Sequence, residues 1–237
     1  MAHAHANAAP LFPRTRRQFL ARKLFELTGF LPIGAFLLEH FYSNFKAVGP
    51  GGAERFNGVV VELQTNPLIL VAEIGLVALP LLYHAGYGLF VAKGARPNNG
   101  QYGFLRNWTY LLQRVSGALL LVYIGYHVYN TRLAPLVHPD NPLWQKAPDG
   151  TPLVSAAYMQ SYLSQAHLGI PVIWLYVVGT GAAVYHFANG LWNVGIHWGL
   201  TISPRSQRLS GMVCGLVGVA LFAAGLVTLL AFHKMGA

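Results

Sequence analysis

The chain has 237 residues, of which 54% are hydrophobic and only 10% charged, against about 25% charged residues in ordinary soluble domains. With a mean hydropathy of +0.42, this excludes a soluble globular protein and reads as an all-α, polytopic membrane protein. The net charge of +9 requires no nucleic-acid partner, because basic collars around membrane spans attract anionic lipid headgroups.

Residues 1–13, with His3 and His5, read as a disordered cytoplasmic tail, and residues 14–237 as a single five-helix transmembrane domain. The stretch TRRQFLARK resembles a twin-arginine export signal. Its apolar run, however, is long, holds Glu39 and His40, lacks an A-x-A cleavage site and is followed by four more such runs, so it reads as the inner anchor of helix I.

Apolar windows of about 20 residues, the length that crosses about 30 Å of hydrocarbon as helix, fall at 24–45, 67–92, 109–131, 168–194 and 210–233. Runs this continuous exclude the short alternating strands of an outer-membrane barrel. Glu62 falls in the loop before helix II, Lys93 closes that helix, and Trp108 opens helix III. The 134–166 loop, with PLVHPDNPLWQKAPDGTP, reads as an ordinary Pro-rich connection carrying a short helix at 154–165. Helix V holds the lone Cys214. One cysteine excludes an internal disulfide, an iron–sulfur ligand set and a CxxCH haem attachment within this chain.

With the N-terminus cytoplasmic, eleven Lys and Arg residues fall in inside segments and five outside. The positive-inside rule therefore predicts a cytoplasmic N-terminus and an outside C-terminus. That basic inner face also suits a soluble docking partner.

Of the ten histidines, His138, His167, His197 and His233 read as loop or helix-end side chains at the interface. His40, His84, His127 and His186 lie inside helices I to IV, where an ionisable group is a functional suspect and needs a partner. At the rise of an α-helix, His40 and His127 stand about 24 and 26 Å above the inner end, and His84 and His186 about 12 to 16 Å. The four therefore form two depth-matched pairs on different helices. Two neutral imidazoles facing across a gap describe the two axial ligands of a haem, and Gly29, Gly34, Gly88, Gly117, Gly125 and Gly179 leave room for a flat macrocycle. Two such groups at different heights would form a wire, with quinone chemistry at one end and a soluble redox partner at the other.

The strings LTGFLPIGAFLLEHF, RNWTYLLQRVSGALLLVYIGYHVYNTR and HFANGLWNVGIHWGLTISPRSQR resemble the single-chain, five-helix, di-haem cytochrome b anchor of succinate:quinone oxidoreductases, over roughly residues 14 to 233. The resemblance implies a complex in the bacterial cytoplasmic membrane. In it a flavoprotein subunit with FAD and an iron–sulfur subunit handle the dicarboxylate, while this chain passes electrons to or from quinone, with menaquinone expected. It implies two haem b groups: a proximal one on His84 and His186, near the iron–sulfur subunit, and a distal one on His40 and His127.

Glu62 matches the position where fumarate reductases of the family carry a glutamate near their quinol site, and is the candidate proton donor. Trp108 and Lys93 are the favoured contacts for haem propionates, with Arg22, Gln113 and Arg114 as further candidates. Some fumarate-reducing relatives have a glutamate two residues before the helix IV histidine; here it is Val184, so a transmembrane proton path of that kind is not implied. Two other readings stay open on sequence: the cytochrome b subunit of a hydrogenase or formate dehydrogenase, and a haem-free transporter or proton channel that uses the membrane His and Glu residues.

Overall fold

The computed structural model describes residues 16–235; the tail at 1–13, with His3 and His5, and Arg14 lie outside the described residues. Five helical rods are long and apolar enough to cross a membrane: Arg16–Phe45, Ile69–Lys93, Leu105–Val137, Val172–His197 and Pro204–Lys234. They match the five predicted windows, with the first extended by two turns through its basic anchor. Short reversed pairs at 145–146 with 152–153 and at 166–167 with 170–171 are the strands among the described residues.

Prolines shape three of the rods. Span I is α1 (Arg16–Phe30) followed by α2 (Pro32–Phe45). A proline has no N–H and crowds the carbonyl four residues back. The rod nevertheless continues through Leu31, whose N–H reaches Leu27 O at 2.9 Å while its carbonyl accepts from Ala35 at 3.0 Å. Span II comprises α4 (Ile69–Ala72), a π-helical segment Glu73–Ala78, and α5 (Leu79–Lys93). Span III comprises α6 (Leu105–Val128), a second π segment Tyr129–Leu133, and α7 (Ala134–Val137). Each π segment ends two residues before a proline, Pro80 or Pro135, where a wider turn relieves the clash of the ring. Spans IV and V are α9 (Val172–His197) and α10 (Pro204–Lys234).

The end of ISPRSQR is a helix start. Ser203 and Ser206 form a reciprocal capping box with Pro204 in the first turn, and the Gln207 side chain accepts from Arg106 at 2.5 Å while donating to Thr201 O at 3.1 Å. Trp192 Nε1 donates to Gln207 O at 2.8 Å, so the string binds the start of α10 to span IV and to the foot of span III.

Two features at the opposite end depart from expectation. The segment between spans I and II, read as a loop, is the helix α3 (Gly52–Gln64). Its start packs so tightly on the Ala47 carbonyl that a Cβ at Gly52 would not fit. The 134–166 connection is a packed cap. Its helix α8 (Ala156–Leu163) lies inside the predicted 154–165 range, and Tyr158, Met159, Tyr162 and Leu163 are buried with Trp144, Phe56, Val172 and Phe232. Asn57 on α3 ties the cap down, accepting from Ala156 N at 2.8 Å and, through its carbonyl, from Gln145 at 3.3 Å. Along the spans, by contrast, leucines and valines such as Leu82, Val122 and Leu216 stand exposed, as a lipid-facing surface requires.

Candidate functional site

The bundle brings the four span histidines together two by two. His40 on α2 and His127 on α6 have ring centres 5.6 Å apart with planes at 84°, and His84 on α5 and His186 on α9 are 6.2 Å apart, also at 84°. The pairs sit at different levels, joining spans I and III and spans II and IV.

Each ring is held by neighbours. His84 Nδ1 lies 3.0 Å from Phe25 O; a carbonyl only accepts, so Nδ1 carries the proton and Nε2 keeps its lone pair for a metal. The Phe25 ring stacks on His84 at 4.4 Å. His186 Nδ1 is 3.1 Å from Ser116 Oγ, and His127 Nδ1 is 3.3 Å from the Tyr176 hydroxyl. The Tyr123 ring lies parallel to His127 at 5.8 Å. For His40, the Asn44 amide donates to its backbone carbonyl at 2.8 Å and lies beside the ring. Partners of this kind on the far nitrogen fix tautomer and orientation of ligating histidines.

The spacing fits a metal between the rings. Metal–imidazole bonds are about 2 Å long, which puts two axial nitrogens about 4 Å apart and their ring centres about 6 Å apart. At each level two imidazoles from different spans lie at this spacing, a pair that would suit a metal whose remaining positions are filled by a macrocycle. Two glycines adjoin the His84–His186 rings: a Cβ at Gly29 would stand 2.5 Å from His84 Cε1, and one at Gly117 3.0 Å from His186 Cε1. The other glycines divide. Gly34 and Gly179 are covered by the rings of Phe187 and Tyr123, Gly88 touches Phe25, and Gly125 has nothing within 4 Å.

The motif strings meet at the His84–His186 pair. Gln113 donates to His186 O at 3.1 Å and accepts from the buried Asn189 at 2.6 Å. Arg114, one residue on, stacks over Tyr110 at 3.4 Å and donates to its carbonyl, but its Nε is buried with no partner. An orphaned cationic donor of this kind fits an anionic substituent. Trp108 and Lys93 lie at the same end, both exposed, and Arg22 pairs with Glu26 at 3.6 Å.

Sequence spacing carried no signal for the Glu26 cluster. Glu26 accepts from Trp198 Nε1 and pairs with His197 Nδ1, both at 3.0 Å, while Lys23 donates to His197 O at 2.8 Å and lies 4.9 Å from the Trp198 ring. His197 is thus a clasp between α1 and the end of α9, made by residues 171 positions apart.

The three carboxylates of the other end have different settings. Glu62 is exposed on α3. Glu39 accepts from Ser43 on its own helix. Glu73 is paired with Arg132 of span III, Nη2 to Oε2 at 2.8 Å, and also accepts from Gln64 of α3 at 3.1 Å. In the cap, burial raises the Tyr158 hydroxyl to about 12 and that of Tyr162 further. Both therefore remain neutral donors, Tyr158 to Asn130 O at 3.1 Å and Tyr162 to the Tyr126 hydroxyl at 2.5 Å.

No family model matches the sequence. The chain is 38% identical over 217 residues, 91% of its own length and 98% of the relative's, to the succinate dehydrogenase cytochrome b558 subunit of Bacillus subtilis. With five membrane-length helices and near-complete coverage of both chains, the protein belongs to the family of succinate dehydrogenase cytochrome b558 subunits.

Proposed function

We propose that this chain carries electrons between an iron–sulfur subunit and membrane quinone, through two b-type haems, in a succinate dehydrogenase whose FAD-bearing flavoprotein subunit oxidises succinate. His84 and His186 would hold the proximal haem and His40 and His127 the distal one. The observation that carries the reading is the pair of cross-span histidine couples at two levels, each spaced for one metal between imidazoles. Haem b supplies reversible one-electron chemistry when bound. The chain's own residues orient the ligands: Phe25 O, Ser116 and Tyr176 engage the Nδ1 atoms, and Gln113 holds the backbone of His186.

The basic end faces the cytoplasm and the iron–sulfur subunit, following the charge bias of the loops. Trp108, Lys93, Arg114 and Arg22 are the propionate contacts on that side, and the buried unpartnered Nε of Arg114 makes it the strongest of them. Glu62, exposed at the opposite end, is the proton donor to quinone, expected to be menaquinone; membrane lipid surrounds the spans. The family relation favours this partner set over that of a hydrogenase or formate dehydrogenase, and the paired histidines favour a cytochrome over a haem-free transporter.

The test is pyridine haemochrome content of the purified complex, expected at two haem b per flavin, with potentiometric titration of single variants. His84→Ala and His186→Ala should remove one redox component, and His40→Ala and His127→Ala the other. One haem per flavin, or loss of the same component from the His40 and His84 variants, would overturn the assignment.

A further inference from the structure

The π-helical segments of spans II and III meet at one ion pair. Glu73 is the first residue of the segment Glu73–Ala78, and Arg132 lies within Tyr129–Leu133. Arg132 Nε lies 3.1 Å from both carboxylate oxygens of Glu73 and Nη2 lies 2.8 Å from Oε2, while Gln64 of α3 donates to Oε1 at 3.1 Å. Single-turn π distortions recur at functional sites, and a charged pair within spans is costly enough to need a reason. The pair is neutral as a whole, which limits that cost.

Three features point to a ligand. First, Glu73 occupies only the Nε and Nη2 edge of the guanidinium, and Nη1 takes no part in the pair. Second, the pair is not sealed, since the Arg132 side chain is 35% exposed and that of Glu73 29%. Third, Ile74, Tyr129 and Leu133, on the same two π segments, are exposed apolar residues. A ligand with a hydrogen-bond-accepting head and a hydrocarbon tail matches that combination. Arg132 follows His127 by five residues, about 7 to 8 Å of helical rise, so the ion pair stands within about two turns of the level of the His40–His127 pair along span III.

We propose that Arg132, positioned by Glu73, hydrogen-bonds a carbonyl oxygen of quinone at this end of the molecule; the inference rests on the quinone-reducing role proposed above. Quinone reduction takes two electrons, delivered here from succinate oxidation, and two protons, and converts both carbonyls to hydroxyls. The first electron places negative charge on the carbonyl oxygens before protonation is complete. A guanidinium is always charged and is a donor only, so it stabilises that oxyanion without giving up its proton. The protons come through Glu62, the donor proposed above and exposed on α3, which is reprotonated from water. The flat fork of arginine holds Glu73 with one edge while offering another; lysine, a point charge on a flexible stem, cannot do both in a fixed geometry.

The test uses the intact detergent-solubilised complex with a short-chain quinone, beside dye-linked succinate oxidation, haem spectra and thermal stability. Arg132→Gln should raise the quinone KM and lower kcat, by about 10²-fold as for loss of one oxyanion donor, with the dye reaction and haem content unchanged. Arg132→Lys should stay impaired. The exchange Glu73→Arg with Arg132→Glu should recover thermal stability without recovering quinone turnover, and it carries the test if Arg132→Gln fails to assemble. Wild-type quinone kinetics in the lysine variant or the exchange variant would make the pair a structural clasp and overturn the inference. Unchanged kinetics in Arg132→Gln while Glu62→Gln is impaired would overturn this inference alone; unchanged kinetics in both would overturn the quinone site at this end as well.

Discussion

Gln113 donates its side-chain N–H to the backbone carbonyl of His186 at 3.1 Å, locking span III to span IV at the residue proposed as an inner haem ligand. The same side chain accepts from Asn189 at 2.6 Å, and Asn189 is buried. Replacing Gln113 by Ala therefore leaves the buried Asn189 amide with only the long 3.5 Å contact to Thr109 O, a loss that costs about 1–3 kcal/mol. Thermal unfolding of the complex should shift down accordingly. Potentiometric titration should show the component assigned to His84 and His186 altered and the other unmoved.

Gly29 and Gly215 make a contrasting pair of probes. A methyl at Gly29 would stand 2.5 Å from His84 Cε1 and 2.8 Å from Nδ1, whereas one at Gly215, on span V away from the four histidines, meets nothing within 4 Å. Gly29→Ala should displace the His84 ring and lower haem content toward one per flavin. Gly215→Ala should leave both the visible spectrum and the melting temperature close to wild type.

Glu62 is proposed to act on the quinone through its carboxyl proton. Glu62→Gln removes that proton source, and general acid assistance is typically worth about 10² to 10⁴ in rate. Quinone turnover should fall within that range, while dye-linked succinate oxidation and both haem spectra stay intact. Because the side chain is exposed on α3, the substitution should cost little stability.

The cap has its own pH limit. Burial raises Tyr158 to about 12, above the ordinary phenol value of about 10. A group whose folded value is raised contributes stability that is full below pH 10 and is lost as pH climbs through 12. Trp144, whose ring centre lies 4.1 Å from that of Tyr158, should report the transition as a fluorescence change between pH 10 and 12. Tyr158→Phe should remove that step.

The sequence by itself determined whatever follows from a fixed repeat and a fixed solvent. Hydrocarbon thickness sets the length of a span, so five apolar windows meant five helices, and all five stand in the structure. A constant rise per residue turns sequence position into depth; that is why His40 and His127 could be set at one height and His84 and His186 at another before any contact was known. The strings around Gln113 and Ser203 were likewise visible as motifs. Their roles, a clamp on His186 and a capping box, needed coordinates.

Tertiary structure decided what depends on lateral placement and on competition between local and distant contacts. The helix α3 is short, with two glycines and a Val59–Val61 run that suits a strand as well as a helix, and the 134–166 cap is rich in Pro, so neither announces itself as ordered structure before its packing is known. Both are ordered by burial of Phe56, Trp144 and Tyr158 against one another and against spans IV and V. Pro80 and Pro135 are plain in the sequence, but whether a helix runs on past a proline, as at Pro32, or opens a π turn depends on the packing around it. The pairs Glu73 with Arg132 and Glu26 with His197 join residues 59 and 171 positions apart. Depth arithmetic gives height along a span and says nothing about the direction in which a side chain points around it, and that direction decides which charges meet.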